Sequence, residues 1–305
     1  MATELSCVKG YCMSLANGQG WHILANRGME KWIDKLATIM ELKRGDGNGY
    51  AKLIFTREER GHKEWREPIS CLDPKVQENL PRSGWKARKF PSIQIWSHPR
   101  VPDVICEIGH EETHELEILR MSLAGYAIIE RAQSRAGLPL HAALIEREGD
   151  GVLLAAPAGT GKSTCCRRLP SPWQPLSDDE TLIILDDQER YLAHPFPTWS
   201  YYLWRCSEQT WNIQRHVFLK AIFILEQAEF NQVFPVGRGQ AAVFLVQSAM
   251  EVYHTNWRNL DTHDLRTLRR RLFNNACELA RSIPVFKLLV SLNGRFWEEI
   301  EKVLF

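Results

Sequence analysis

Gly151-Val152-Leu153-Leu154-Ala155-Ala156-Pro157-Ala158-Gly159-Thr160-Gly161-Lys162-Ser163-Thr164 decides how this chain is read. The apolar first half fits a buried strand, and a short helix over about Ser163–Leu169 follows the two glycines. Strand, glycine turn and helix in that order let the backbone N–H groups from Ala158 through Gly159, Thr160 and Gly161 to Thr164 curl around nucleotide phosphates. Glycine is needed at Gly159 and Gly161 because backbone must approach phosphate closely there. Lys162 then reaches the β- and γ-phosphates and the Ser163 hydroxyl is set to ligate Mg²⁺, so ATP and Mg²⁺ are the expected cofactors. The pattern G-x-x-x-x-G-K-[ST] has Ala156 in place of its first glycine, and a chance glycine-rich turn is the competing interpretation.

Downstream, Leu176-Ser177-Asp178-Asp179-Glu180 begins only a few residues beyond the short helix. A helix rises about 1.5 Å per residue, so this one spans roughly 10 Å, and Pro170, Pro172 and Pro175 then force an extended return. That return delivers Asp178 and Asp179 beside the loop just left. One carboxylate can hold or orient Mg²⁺, the other can accept a proton from an attacking hydroxyl. The bland alternative is an acidic turn facing solvent.

Outward from this corner, short apolar runs at Ala142–Ile145, Thr181–Leu185 and Ala221–Leu225 complete a sheet core. Helical patterns follow at Ala241–Met250, Asp264–Arg281 and Arg295–Leu304, with a strand Phe286–Ser291 between the last two. Glu112–Arg135 carries Leu116, Leu119, Leu123 and Tyr126 on one helical stripe. Before it, the chain reads as a hairpin at Tyr11–Ala25, a helix through Trp32, Leu36 and Ile39, and strands at Tyr50–Phe55, Ile93–Trp96 and Val104–Ile108. The expected organisation is an α+β amino-terminal module, residues 1–110, followed by an α/β catalytic domain, residues 111–305.

The chain has 305 residues, 38 basic against 37 acidic side chains and a net charge of +1, so nothing in its charge balance points to nucleic acid or a membrane surface. Met1–Cys7 has no signal-peptide pattern and no apolar run approaches a bilayer span. The eight cysteines contain no C-x-x-C pair, which fits reduced thiols and a cytoplasmic location.

The order Leu140-His141, strand, Gly-x-Gly-Lys-Ser, then Leu176-Ser177-Asp178-Asp179 resembles the HPr kinase/phosphorylase family, serine protein kinases related in fold to PEP carboxykinase. Phe234-Pro235-Val236-Gly237-Arg238-Gly239-Gln240 resembles that family's loop that contacts the protein substrate. The resemblance implies an HPr kinase-like P-loop fold, His141 near the transferred phosphate, Lys162 and Ser163 on phosphate and metal, Asp179 as the catalytic base with Asp178 on the metal, and Arg238 toward the substrate. The family's L-E-x-R-G-x-G stretch is absent; His194–Arg205 stands in its place. The layout through Leu292-Asn293-Gly294-Arg295-Phe296-Trp297 is similar to HPr-kinase-like proteins of peptide-natural-product cassettes, the SynChlorMet cassette ScmC type, whose relatives in lasso-peptide pathways phosphorylate a precursor serine.

Three further signals compete. His110-Glu111-Glu112-Thr113-His114 matches H-E-x-x-H, a zinc pattern when both histidines share a helix face, with Glu130 as a conceivable third ligand; the alternative is a solvated acidic helix start. Arg266, Arg269, Arg270 and Arg271 form a basic helix face, either solvated or a patch for an acidic peptide or phosphoserine. Trp199, Tyr201, Tyr202, Trp204 and Trp211 are either packed or line a peptide groove, and Arg205 among them could stabilise the transferring phosphoryl group.

The expectation is ATP-dependent phosphorylation of a serine on a ribosomally made peptide or small protein, by a protein that could be a homo-oligomer. The alternatives are a nucleotide-binding regulatory module without transfer and a kinase of a small-molecule hydroxyl.

Overall fold

The computed structural model describes residues 10–26, 28–58, 67–90, 92–111, 113–205, 207–253 and 262–305, the side chains of Arg205 and Thr262 excepted. Among them are eight α-helices and two mixed sheets. Contacts divide the chain into two compact units, Met1–Arg131 with Trp199–Thr210, and Ala132–Thr198 with Trp211–Phe305.

The first unit is a seven-stranded sheet of β1 (Gly10–Ser14), β2 (Gly20–Ala25), β3 (Lys43–Gly45), β4 (Ala51–Arg57), β5 (Lys86–Phe90), β6 (Ile93–His98) and β7 (Val101–Ile108), in the order β3-β1-β2-β4-β7-β6-β5. β2, β4 and β7 run parallel at its centre and the outer pairs are antiparallel. Helix α1 (Glu30–Ile39) makes the crossover from β2, burying Trp32, Ile33 and Leu36, with the Trp32 and Phe55 rings 4.6 Å apart. A second apolar cluster joins Leu24, Ile54 and Ile105 to Ile69, Leu72, Val76, Leu80 and Trp85, the turn and short helix α2 (Pro74–Gln77) after β4. Helix α3 (His114–Gln133) belongs to this unit as far as Arg131. Its side chains explain that: Glu130 accepts two hydrogen bonds from Arg88 at 2.5 and 2.6 Å, Arg120 donates to Ser92 O at 3.0 Å, and Glu117 pairs with Lys35.

The second unit carries β8 (Leu138–Leu140), β9 (Ala142–Arg147), β10 (Asp150–Ala155), β11 (Gln174–Ser177), β12 (Glu180–Leu185), β13 (Tyr191–Phe196), β14 (Val217–Gln227), β15 (Gln232–Pro235) and β16 (Val285–Val290). Its main path is β11-β9-β10-β14-β13-β12-β8, with β10 parallel to β14. The eleven-residue β14 branches: its start pairs with β13 at Leu192↔Phe218 and its end pairs in parallel with β16 at Ile222↔Val285 through Gln227↔Val290. Alternation of side chains along each strand sends Ala143, Ile145, Val152, Leu154, Ala221, Phe223, Leu225, Leu288 and Val290 to one face. There they meet Cys165 and Cys166 of α4 (Lys162–Arg168) and Phe296 and Ile300 of α8 (Phe296–Leu304). Phe296 is fully buried, and truncating such a ring costs about 3–5 kcal/mol. Helices α6 (Arg238–Val252) and α7 (Thr262–Ser282) pack together and both touch β8. No helix among the described residues is long and apolar enough to cross a membrane.

Candidate functional site

The site forms where two chain segments break at one level of the second sheet. One runs β8, His141, β9; the other runs β11, Asp178-Asp179, β12. β11 pairs with β9 at Ser177↔Leu144 while β12 pairs with β8 at Thr181↔Leu140, so His141 and the two aspartates face each other across the break. The β9–β10 register, Ala142↔Ala155, then sets His141 beside Ala156, where the glycine loop begins.

The loop is the expected strand-turn-helix. Thr160 N donates to Pro157 O at 3.3 Å with Gly159 at φ 79°, and Gly161 enters α4 at φ 115°. Side chains rarely adopt either angle, which is why glycine stands at both positions. Ala156 is not among the positive-φ residues and is 2% exposed, within the apolar cluster. The departure from the usual glycine is thus explained by packing. The loop carbonyl of Thr160 accepts from Gln227 Nε2 at 3.1 Å. Ser163 is half-buried in the first turn of α4, and the Thr164 hydroxyl accepts from Arg167 at 3.3 Å.

Lys162, only 6% exposed, folds back: its Nζ donates to Ala156 O at 2.8 Å and lies 3.0 Å from His141 Nε2. The same Nε2 is 2.9 Å from Asp179 Oδ1, and His141 Nδ1 bonds to Glu251 of α6. Burial lowers the Lys162 pKa against the pull of the Asp179, Glu251 and Asp178 charges. Burial pushes Asp179 up, but the hydrogen bond and charge of His141, with Lys162, outweigh it and hold the carboxyl below its ordinary value. Burial pulls His141 down, and the Asp179 hydrogen bond raises it; with Lys162 opposing and Glu251 assisting, the imidazole ends raised. Asp178 turns the other way, is 9% exposed, and accepts from Thr198 Oγ1 at 2.9 Å. Glu180 next along is pushed up to about 8 by burial and then by the Asp179 charge.

The structure therefore brings together Lys162, His141 and Asp179 and orients Asp178 separately. Thr198 and Glu251 are additional members that no sequence pattern marks. Arg238 opens α6, thirteen residues before Glu251, which at 1.5 Å per residue is about 20 Å along the helix. Trp204, 79% exposed, and Arg205 lie on α5 (Trp199–Arg205), which groups with the first unit; the Arg205 side chain is outside the described residues. Trp199, Tyr202 and Trp211 are buried, so the aromatic segment is mostly packing.

Among the described residues no three His, Cys, Asp or Glu side chains are arranged to hold a metal ion. Ser163 and Asp178 offer hard oxygen ligands of the kind Mg²⁺ takes together with substrate phosphates and water. The H-E-x-x-H pattern is dismantled: α3 starts at His114, leaving His110 before it, His114 bonds to Tyr202 O at 2.8 Å, and Glu130 is held by Arg88. Glu112 lies outside the described residues, while Glu115 and Glu117 make an acidic first turn. Arg266, Arg269 and Arg270 are exposed on α7. Six cysteines, including Cys165 and Cys166, are free thiols; Cys7 and Cys206 lie outside the described residues. A cavity of about 480 Å³ in the first unit, between α1 and the start of α3, shares no residue with the glycine-loop site, and its one acid, Glu117, is paired with Lys35.

Fold and site define a mixed α/β protein with an acid–base cluster behind a strand–glycine loop–helix corner. A protein-family model described as SynChlorMet cassette protein ScmC matches residues 104–305, well over half of the chain, and the chain belongs to that family. No curated protein matches the sequence.

Proposed function

We propose that this protein is an ATP-dependent kinase that phosphorylates a serine hydroxyl on a ribosomally synthesised precursor peptide or small protein, acting in the cytoplasm on an HPr kinase-like P-loop fold. The observation that carries the reading is the convergence of Lys162, His141 and Asp179 at the mouth of the Gly159–Gly161 loop. Structural ion pairs seldom combine a nearly buried lysine, a glycine loop and a carboxylate–histidine pair at the ends of sheet strands. Membership of a cassette family and the likeness of the quoted motifs to HPr kinases support the acceptor class.

In this reading the loop amides hold the ATP phosphates, Lys162 meets the charge that develops on them during transfer, and Ser163 and Asp178 would hold Mg²⁺, which supplies charge neutralisation on the phosphates. Asp179, whose lowered pKa keeps it ionised at neutral pH, takes the proton of the acceptor hydroxyl. The serine oxygen forms its bond to the γ-phosphorus as the bond to the β–γ bridging oxygen breaks, and ADP leaves. The test is transfer of labelled γ-phosphate to a serine-bearing candidate peptide by wild type and Asp179→Asn. Equal transfer by the two would remove the assigned base; ATP held without ADP formation by wild type, with every candidate peptide present, would favour a regulatory nucleotide module instead.

A further inference from the structure

His141 has more neighbours than its two ring nitrogens can serve. Nδ1 faces Glu251, while Nε2 faces both Asp179 Oδ1 at 2.9 Å and Lys162 Nζ at 3.0 Å. A ring nitrogen has one in-plane position, donating when protonated and accepting when not. An ionised carboxylate only accepts, so the Glu251 bond requires the proton on Nδ1. At Nε2 the two partners make opposite demands: Asp179 needs N–H, Lys162 needs the lone pair. Only one of these contacts is a hydrogen bond at any moment.

Helix α6 is built to hold this arrangement. Ser248 and Glu251, three residues apart, share a helix face. Ser248 O accepts from His141 N at 3.4 Å and Ser248 Oγ donates to His141 O at 3.4 Å, so the helix fixes the main chain of His141 as well as its ring. The charged and titratable groups that face the imidazole are thus Glu251 from α6, Asp179 from the β11–β12 break and Lys162 from α4.

We propose that Glu251 is the positioning residue of this site: by keeping the proton on Nδ1 it leaves Nε2 as the one variable position, so that protonation of His141 releases Lys162. The inference rests on the phosphotransfer reading and specifies how the site is regulated. With His141 neutral, Lys162 is parked on Nε2 and on Ala156 O. When the acceptor hydroxyl loses its proton through Asp179 to Nε2, the serine O–H bond breaks, an Nε2–H bond forms, and Nε2–H donates to Asp179. Two adjacent cations then repel, and Lys162 leaves for the phosphate oxygens as negative charge builds on departing ADP.

Two measurements test this. Ring ¹⁵N signals of His141, recorded through a pH titration of the protein alone, should show the Nδ1–H tautomer in wild type, and mixed tautomers with a lower titration midpoint in Glu251→Gln. Glu251→Asp, one methylene too short, should also lose the pure tautomer. Labelled-phosphate transfer should show kcat lowered about ten- to hundredfold in Glu251→Gln with the KM for ATP little changed. On a His141→Gln background the same substitution should cost nothing more, whereas a purely structural role would cost the same in both backgrounds. Glu251 is 42% exposed on its side chain, so folding should survive its replacement. An unchanged tautomer and titration in Glu251→Gln, or an equal kinetic loss on both backgrounds, overturns the proposal. If wild type phosphorylates no peptide, the transfer reading fails, and the ring signals still decide whether Glu251 sets the tautomer.

Discussion

The glycine loop and the His110–His114 segment are both short patterns with a known chemical meaning, and the structure treats them in opposite ways. Around Lys162, strand register gathers residues from three separate stretches: Ala142↔Ala155 and Thr181↔Leu140 bring His141 and Asp179 to the loop. Around His114, the helix begins only at the pattern's second histidine, four residues after His110, and a main-chain carbonyl and an arginine occupy the groups a metal would need. Spacing in a sequence therefore signifies chemistry only when the backbone at that place has the conformation the spacing presumes.

The contrast can be broken first at its strongest point. Asp179→Asn should lower phosphate transfer by about 10²–10⁴-fold, read with labelled ATP, and transfer at the wild-type rate would leave the two patterns equally empty. Thr198→Val removes the hydroxyl that orients Asp178, a carboxylate 9% exposed, and should cost about 1–3 kcal/mol in denaturant unfolding. Glu180→Gln sharpens the electrostatics. The folded pKa of about 8 lies above the ordinary glutamate value of 4.5, so the folded protein keeps a proton the unfolded chain releases, and wild-type stability should fall as pH rises from about 4.5 to 8. The variant should show a flatter stability profile in that window; a parallel profile would mean Glu180 is ionised in the fold. Smallest of all, His110→Ala, at an exposed position, should change stability by no more than about 0.5 kcal/mol, and zinc should shift the thermal midpoint of neither protein.

Much of the fold was legible because the elements that matter obey a clean period. The runs 142–145, 152–156, 181–185 and 221–225 appear as β9, β10, β12 and β14, and the three carboxy-terminal helices appear within a few residues of their expected limits. The strands that escaped have physical reasons. β5, Lys86-Ala87-Arg88-Lys89-Phe90, is an edge strand whose charges blunt it against further pairing and make it look like a loop. β8 is three residues long with Pro139 at its middle, also at an edge. β13 is buried along its whole length, so it shows no alternation, and it contains Pro195, a residue strands usually avoid. In the site, Lys162 and the aspartates follow from local spacing. Thr198 and Glu251 do not, because they reach their partners from 20 and 110 residues away, through tertiary register alone.

Trp199–Thr210 clusters with the first unit although β13 and β14 on either side belong to the second, so the polypeptide passes between units three times, at 131/132, 198/199 and 210/211. No single cut in the chain can separate them. A fragment beginning at residue 111 would leave Trp199–Thr210 without most of the unit it clusters with, including Glu41, which accepts from Thr210 Oγ1 at 2.6 Å, and should be less stable to denaturant than the intact chain. For the same reason, an exchange of amino-terminal units between family members requires two grafts at once.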